Sequence, residues 1–329
     1  MTIGRRQKAS PRTKTFGTYL KGNYDMYLML LIPLAFYFIF KYVPIYGLVL
    51  AFKDYNFQKG IWGSPWAGLE VFEKLFRDRM FWLAIRNTLF LNLISLLAGF
   101  PIPIIFALLL NEVKHSKFKR VVQSISYLPH FISWVIFYGI IVALTAENTG
   151  VINILLKNTG FEQQSFLTKR GSWLFIYIFS SIWKETGWQA ILYLSALSGI
   201  DQELYEAAEI DGAGRFKRIW HVTLPGIRST IVTILILEIG KIMTIGFDKP
   251  YLLGNSMVSD MSTVLSTYIY TMGISKAQYA MTTAAGMFQS VINFVLVIGS
   301  DKIAKLLGEE GLFAMKVKKI NKPARKRRR

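Results

Sequence analysis

Apolar runs of bilayer length recur six times along the chain. A membrane helix takes about 20 mostly apolar residues, and such runs fall at 26–43, 81–110, 118–144, 174–198, 229–253 and 279–307. They predict an all-α membrane protein with six transmembrane helices. The first run is read as a retained helix: its apolar core exceeds that of a cleaved leader, and Tyr42, Val43, Pro44, Ile45 and Tyr46 follow it with no small-residue cleavage site. Pro33, Pro101, Pro103 and Pro129 fall in or near these runs, and an interior proline removes a backbone bond and invites a kink. Gly187, Gly240 and Gly246 suit close packing or local unwinding.

Polar residues interrupt the runs in a pattern. Lys184, Glu185, Trp188 and Gln189 share the fourth, Glu238 and Lys241 the fifth, and Gln289 and Asn293 the sixth. Charges inside a bilayer cost at least about 2.5–3.5 kcal/mol each, so they face protein interior or water. Glu185 with Gln189 and Gln289 with Asn293 are spaced i, i+4, and Glu238 with Lys241 i, i+3, so each pair shares one helix face. Three helices with one polar stripe apiece predict a wet path between them. Interhelical glue is the alternative, and Glu238 with Lys241 fits a private ion pair as well as a pore lining. The aromatic-rich segment 44–80 suits either a membrane-surface belt or a docking face. Segment 145–172 reads as a loop with a short helix.

Composition supports the membrane reading. Hydrophobic residues make up 52% and charged residues 18% of 329, where a soluble domain averages about 25% charged. Mean hydropathy is +0.34. There is no cysteine and there are three histidines, which excludes disulfide scaffolds, thiolate chemistry and dense histidine metal sites. The net charge of +19 is a matter of placement: segments 1–27, 111–120, 199–228 and 301–329 hold 25 Lys and Arg, against 10 in 44–80, 146–172 and 248–278. The basic side is cytoplasmic, which places both termini there. The tail at 322–329 resembles a nucleic-acid patch, but it reads as an orientation signal on anionic lipid, where each basic residue is worth about 1 kcal/mol. The organisation is thus a cytoplasmic segment at 1–25, a six-helix domain at 26–307 and a basic cytoplasmic tail at 308–329.

Between the fourth and fifth runs lies a cytoplasmic segment, 200–225, that reads as helix, turn, helix. Asp201 is a good N-cap, Glu203 places negative charge in the first turn, and Asp211-Gly212 ends the first helix. Ala207 and Ala208 keep one face thin enough to enter another protein's groove. A basic amphipathic stretch, 215–220, follows, and Pro225 is expected to stop it. No Gly-x4-Gly-Lys-Ser/Thr phosphate loop occurs: the one Gly-Lys pair, Gly240-Lys241, precedes Ile242.

Glu206-Ala207-Ala208, then Gly212, then Val222-x-Leu224-Pro225 resembles the signature of permease subunits of binding-protein-dependent ABC importers, with Val222 where isoleucine is usual. Asn87-Thr88, the stretch from Ala107 to Glu112, Tyr127-Leu128-Pro129 and the stretch from Trp183 to Trp188 resemble the carbohydrate-importing branch, above all the permeases for complex oligosaccharides and polysaccharide fragments. The resemblance implies the type I importer permease fold in a prokaryotic cell membrane. It implies a second homologous permease, two cytoplasmic ATPase subunits carrying ATP and Mg, an extracytoplasmic sugar-binding protein and a carbohydrate substrate. The chain itself would bind no cofactor or metal and catalyse nothing. Glu206, Ala207, Ala208, Asp211, Gly212, Leu224 and Pro225 would couple to the ATPase. Lys184, Glu185, Trp188, Gln189, Glu238, Lys241, Gln289 and Asn293 are the substrate-path candidates. Two other classes remain: an ion-coupled secondary transporter relaying charge through Glu185, Glu238 and Lys241, and a membrane enzyme using Glu185 and Glu238 as a carboxylate pair.

Overall fold

The computed structural model describes residues 22–306 and 308; the first 21 residues and the basic tail beyond 308 lie outside the described residues. Among those described, regular structure is helical, with one isolated bridge between Lys53 and Trp66. The helices used below are α1 (Tyr24–Phe52), α2 (Glu70–Arg77), α3 (Arg79–Glu112), α4 (Ser116–Phe131), α5 (Trp134–Thr145), α6 (Val151–Asn158) and α7 (Arg170–Leu197). After these come α8 (Gln202–Ile210), α9 (Arg215–Gly226), α10 (Arg228–Gly240), α11 (Asp248–Leu253), α12 (Leu265–Tyr270) and α13 (Tyr279–Leu306).

Helices α1, α3 and α13 are long and apolar enough to cross a membrane singly; the bent pairs α4–α5 and α9–α10 are so when each is taken as one span. Helix α7 has the length, 28 residues, but carries the Lys184–Gln189 polar stripe. Helix α1 outruns the expected 26–43: it continues through a widened π turn at Phe38–Tyr42 and a tighter 3-10 stretch at Val43–Phe52. None of its residues from Tyr24 to Tyr37 is buried.

Two expected spans are broken. The third, 118–144, bends by 102° between α4 and α5. Pro129 lacks the N–H that would continue the ladder, Ile132 turns extended, and Ser133 starts α5 afresh by accepting the Ile136 N–H at 3.4 Å. The fifth, 229–253, does not run as one helix: α10 stops at Gly240, 241–247 is non-helical, and α11 is a separate turn and a half. Pro225 also fails to stop α9, which runs to Gly226 through a π turn at Ile219–Thr223 before a 61° bend into α10.

The remaining long helix, α3, starts where expected because Asp78 accepts the Met80 N–H at 2.9 Å. It lies along α7, and α13 packs on α10 and on the end of α1. Three apolar clusters result. One joins Ala51, Leu75, Phe81, Leu265, Tyr268 and Ala284. Another joins Leu91, Phe137, Trp173, Tyr177, Leu253 and Val264, and a third Ala107, Ala190, Tyr193, Leu197 and Ile227. Gly187 allows α7 to touch α4: a Cβ there would collide with the Ser126 carbonyl. Gly240 likewise abuts Val297, whereas Gly246 stands in open space. Long-range side-chain bonds tie down the loops: Asn87 Nδ2 donates to the carbonyls of Asp260 and Thr263, and Thr88 Oγ1 accepts the Leu265 N–H.

Candidate functional site

Two places on this scaffold stand out: a polar cavity among the long helices and a protruding helix pair at one end.

The cavity has a volume of about 350 Å³ and is walled by α3, α7, α10 and the non-helical segment 241–247. Glu185 and Gln189 of α7 both line it, as their spacing predicts, and Glu238 and Lys241 line it from the other side. Glu238 and Lys241 form no ion pair within 4 Å among the described residues, so of the two readings open for them the wall of the cavity is the observed one. Asn92, Ser95, Ser181, Thr186, Tyr193 and Thr244 add to the polar lining.

The other path candidates sit elsewhere. Lys184 is buried, and its ammonium donates to the carbonyls of Pro129 (3.2 Å) and His130 (2.6 Å), bracing the α4–α5 bend. Those two bonds offset much of the cost of a buried cation. Trp188 stacks on the His130 ring at 4.4 Å with the planes 1° apart, and His130 Nδ1 lies 2.7 Å from Glu185 Oε2. His130, which sequence reasoning passed over, therefore joins the bend to the cavity wall. Gln289 and Asn293 reach the backbone instead of the cavity. Gln289 Nε2 donates to the Met243 carbonyl (2.7 Å), Asn293 Oδ1 accepts the Met243 N–H (3.3 Å), and Asn293 Nδ2 donates to Thr244 Oγ1 (2.8 Å). Asn92 of α3 donates to the Ile242 carbonyl at 2.7 Å. These amides supply the hydrogen bonds that 241–247 gives up by leaving the helix.

At the protruding end, α8 has the chemistry its sequence promised. Asp201 accepts the Glu203 N–H at 3.1 Å. Gly212 adopts φ +74°, and the N–H groups of Gly212 and Ala213 close on the carbonyls of Glu209 (3.0 Å) and Ala208 (2.9 Å). That is a left-handed helix terminator, the conformation in which glycine has no Cβ penalty. Tyr205 donates its hydroxyl to Thr223 Oγ1 (3.1 Å), and Arg218 pairs with Glu209 (3.1 Å), so α8 and α9 form one braced unit. Glu206, Ala207, Asp211, Gly212 and Pro225 are exposed, and Ala208 and Leu224 half-buried. The unit also presents Leu204, Trp220 and, nearly bare, Ile210 (87% exposed) and Phe216 (88%). Apolar side chains this exposed beside a thin alanine face mark a surface for another protein.

A bundle of apolar helices enclosing a polar cavity, with a braced helix pair projecting from one end, describes a transport protein of the membrane. The chain belongs to the family described as binding-protein-dependent transport system inner membrane component, whose pattern matches residues 81–307. Protein LplB of Bacillus subtilis is 46% identical, over 89% of this chain and 92% of its own. The polygalacturonan/rhamnogalacturonan transport system permease protein YteP of the same organism is 43% identical, over 88% and 90%. A chain of the crystal structure of a bacterial alginate ABC transporter, in complex with an alginate pentasaccharide-bound periplasmic protein, superposes with a TM-score of 0.81 at 39% identity. It covers 90% of this chain and 99% of that one. Family membership supports the importer over the ion-coupled transporter and the membrane enzyme.

Proposed function

We propose that the chain is one permease subunit of an ATP-driven importer that brings carbohydrate, as complex oligosaccharides or polysaccharide fragments, across a prokaryotic cell membrane. Six spans cross the bilayer, counting α4–α5 and α9–α10 as one each and adding α7, and both termini are cytoplasmic. A second homologous permease supplies the other half of the path, an extracytoplasmic binding protein delivers the sugar, and two ATPase subunits sit beneath. The observation that carries this is the braced α8–α9 unit, with Ile210 and Phe216 laid bare. Closure of the ATPase pair on ATP pushes α8, and the brace passes the movement to α10 and the cavity wall. ATP does this work only by binding one arrangement of the assembly better than the other. Glu185, Gln189, Glu238 and Lys241 then offer hydroxyl-binding groups along the path. ATP hydrolysis belongs to the partners.

The native chain has no cysteine, which makes a clean test possible. Ile210→Cys in the reconstituted importer should cross-link to a cysteine placed in the ATPase subunit, and the chain purified alone should hydrolyse no ATP. ATP-driven sugar uptake by an assembly in which Ile210→Cys meets no ATPase residue would overturn the reading.

A further inference from the structure

Beside the main cavity lies a second chamber of about 250 Å³. The two share Asn92, Ser95, Ser181 and Thr244 in their walls, so they adjoin. Its remaining lining includes Trp134, Tyr177, Phe247, Asp248 and Lys249. Lys249 is the second residue of the short helix after the non-helical segment and is 7% exposed.

The described residues contain three buried lysines, and two of them each donate to two backbone carbonyls. Lys53 reaches the carbonyl oxygens of Trp62 and Ser64, and Lys184 those of Pro129 and His130. Lys249 reaches no carbonyl and no carboxylate. An ammonium carries three N–H donors, and here one protein oxygen, Ser181 Oγ, accepts from it. The rest of its surroundings are aromatic: the Tyr177 ring centroid is 3.5 Å away and that of Trp134 5.3 Å. Glu185 is beyond ion-pair distance of Lys249 and is held by His130 at 2.7 Å and by Lys184 at 3.8 Å. Ring faces stabilise a cation but neutralise nothing, and a buried cation without a counter-charge is costly.

We propose that this chamber is a binding subsite for a carboxylated sugar unit, with Lys249 as the partner of the uronate carboxylate. The chamber has room for one pyranose ring. The half-buried rings of Trp134 and Phe247 match the C–H face of a sugar, Asp248 and the Asn92 side-chain oxygen match hydroxyls, and the charge-assisted bond to Lys249 selects the acid. This rests on the carbohydrate-import reading and narrows its substrate to acidic oligosaccharides.

The test uses the complete importer with its binding protein, in proteoliposomes, and measures ATP-dependent uptake. The probes are a short oligogalacturonide, a short alginate oligosaccharide and the carboxyl-reduced, neutral counterpart of each. Because every variant meets the same binding protein, that protein's own preference cancels between variants. Lys249→Gln should raise the half-saturating concentration for at least one acidic probe about tenfold or more, leave the neutral probes within about twofold, and Lys249→Arg should keep most of the acidic uptake. Equal loss on acidic and neutral probes, no change on either, or loss in Lys249→Arg as deep as in Lys249→Gln would overturn the subsite. Wild-type importer that takes up only neutral probes would also overturn the subsite, whereas one that takes up no oligosaccharide with ATP, acidic or neutral, would instead overturn the import reading beneath it.

Discussion

Gly212 offers the sharpest check on the coupling argument, because its environment separates two explanations by rank order. A Cβ added there meets nothing within 4 Å in this chain, yet φ is +74°. The penalty for a side chain is therefore conformational: about 1–2 kcal/mol for an ordinary L-residue held left-handed. If the terminated end of α8 must be formed for the push to pass, that penalty lowers its population by a factor of roughly 5–30. Asparagine tolerates the left-handed region better than alanine, and valine worst of all. Sugar-stimulated ATPase of the reconstituted importer should fall in the order Gly, Asn, Ala, Val, with Gly212→Val losing most of the stimulation while the complex still assembles. Were Gly212 needed only for closeness to the ATPase, size would rule and alanine would outperform asparagine. That inverted order, or full stimulation in Gly212→Val, would refute the reasoning.

Removing the Tyr205–Thr223 bond by Tyr205→Phe should cost about 0.5–1.5 kcal/mol of local stability; it should lower transport per ATP hydrolysed, read from paired uptake and phosphate release. Gln289→Leu strips one anchor from the non-helical segment, so the detergent-solubilised complex should melt several degrees lower and, unlike Ser290→Ala on the same helix, take up sugar more slowly. Asp201→Ala should weaken the α8 start by about 1 kcal/mol, and Asp201→Asn much less, with sugar-stimulated ATPase following that order. Deleting 322–329 should leave uptake largely intact, as measured in membrane vesicles with equal amounts of inserted protein.

What was legible in the sequence was what local chemistry decides. Asp201, Glu203 and Gly212 act within one or two turns of themselves, and their caps form as expected. The i, i+4 spacing of Glu185 and Gln189 put both on one wall because α7 is a single uninterrupted helix. The break after Gly240 was invisible for the opposite reason. Ile242, Met243, Ile245 and Phe247 keep the run apolar, and the groups that make the break tolerable, Asn92, Gln289 and Asn293, lie 46 to 150 residues away in sequence. Those same amides, read as path residues from periodicity at 289 and 293, are spent on backbone. Lys249 fell where the fifth run, 229–253, overlaps the outer stretch counted from 248, and nothing about its neighbours announces that aromatic rings from α5 and α7 flank it.

The grip on 241–247 has a mechanical corollary. Helix α3 holds Ile242 and Thr244, and α13 holds Met243 and Thr244, so the two grip one stretch of three residues. A slip of either helix by one residue, about 1.5 Å along its axis, would pull its amide off the acceptor, whereas the two turning in concert would disturb neither. Helices that share a knot of bare peptide in this way travel as a block, and the freedom to flex is left to the bend at Ile227.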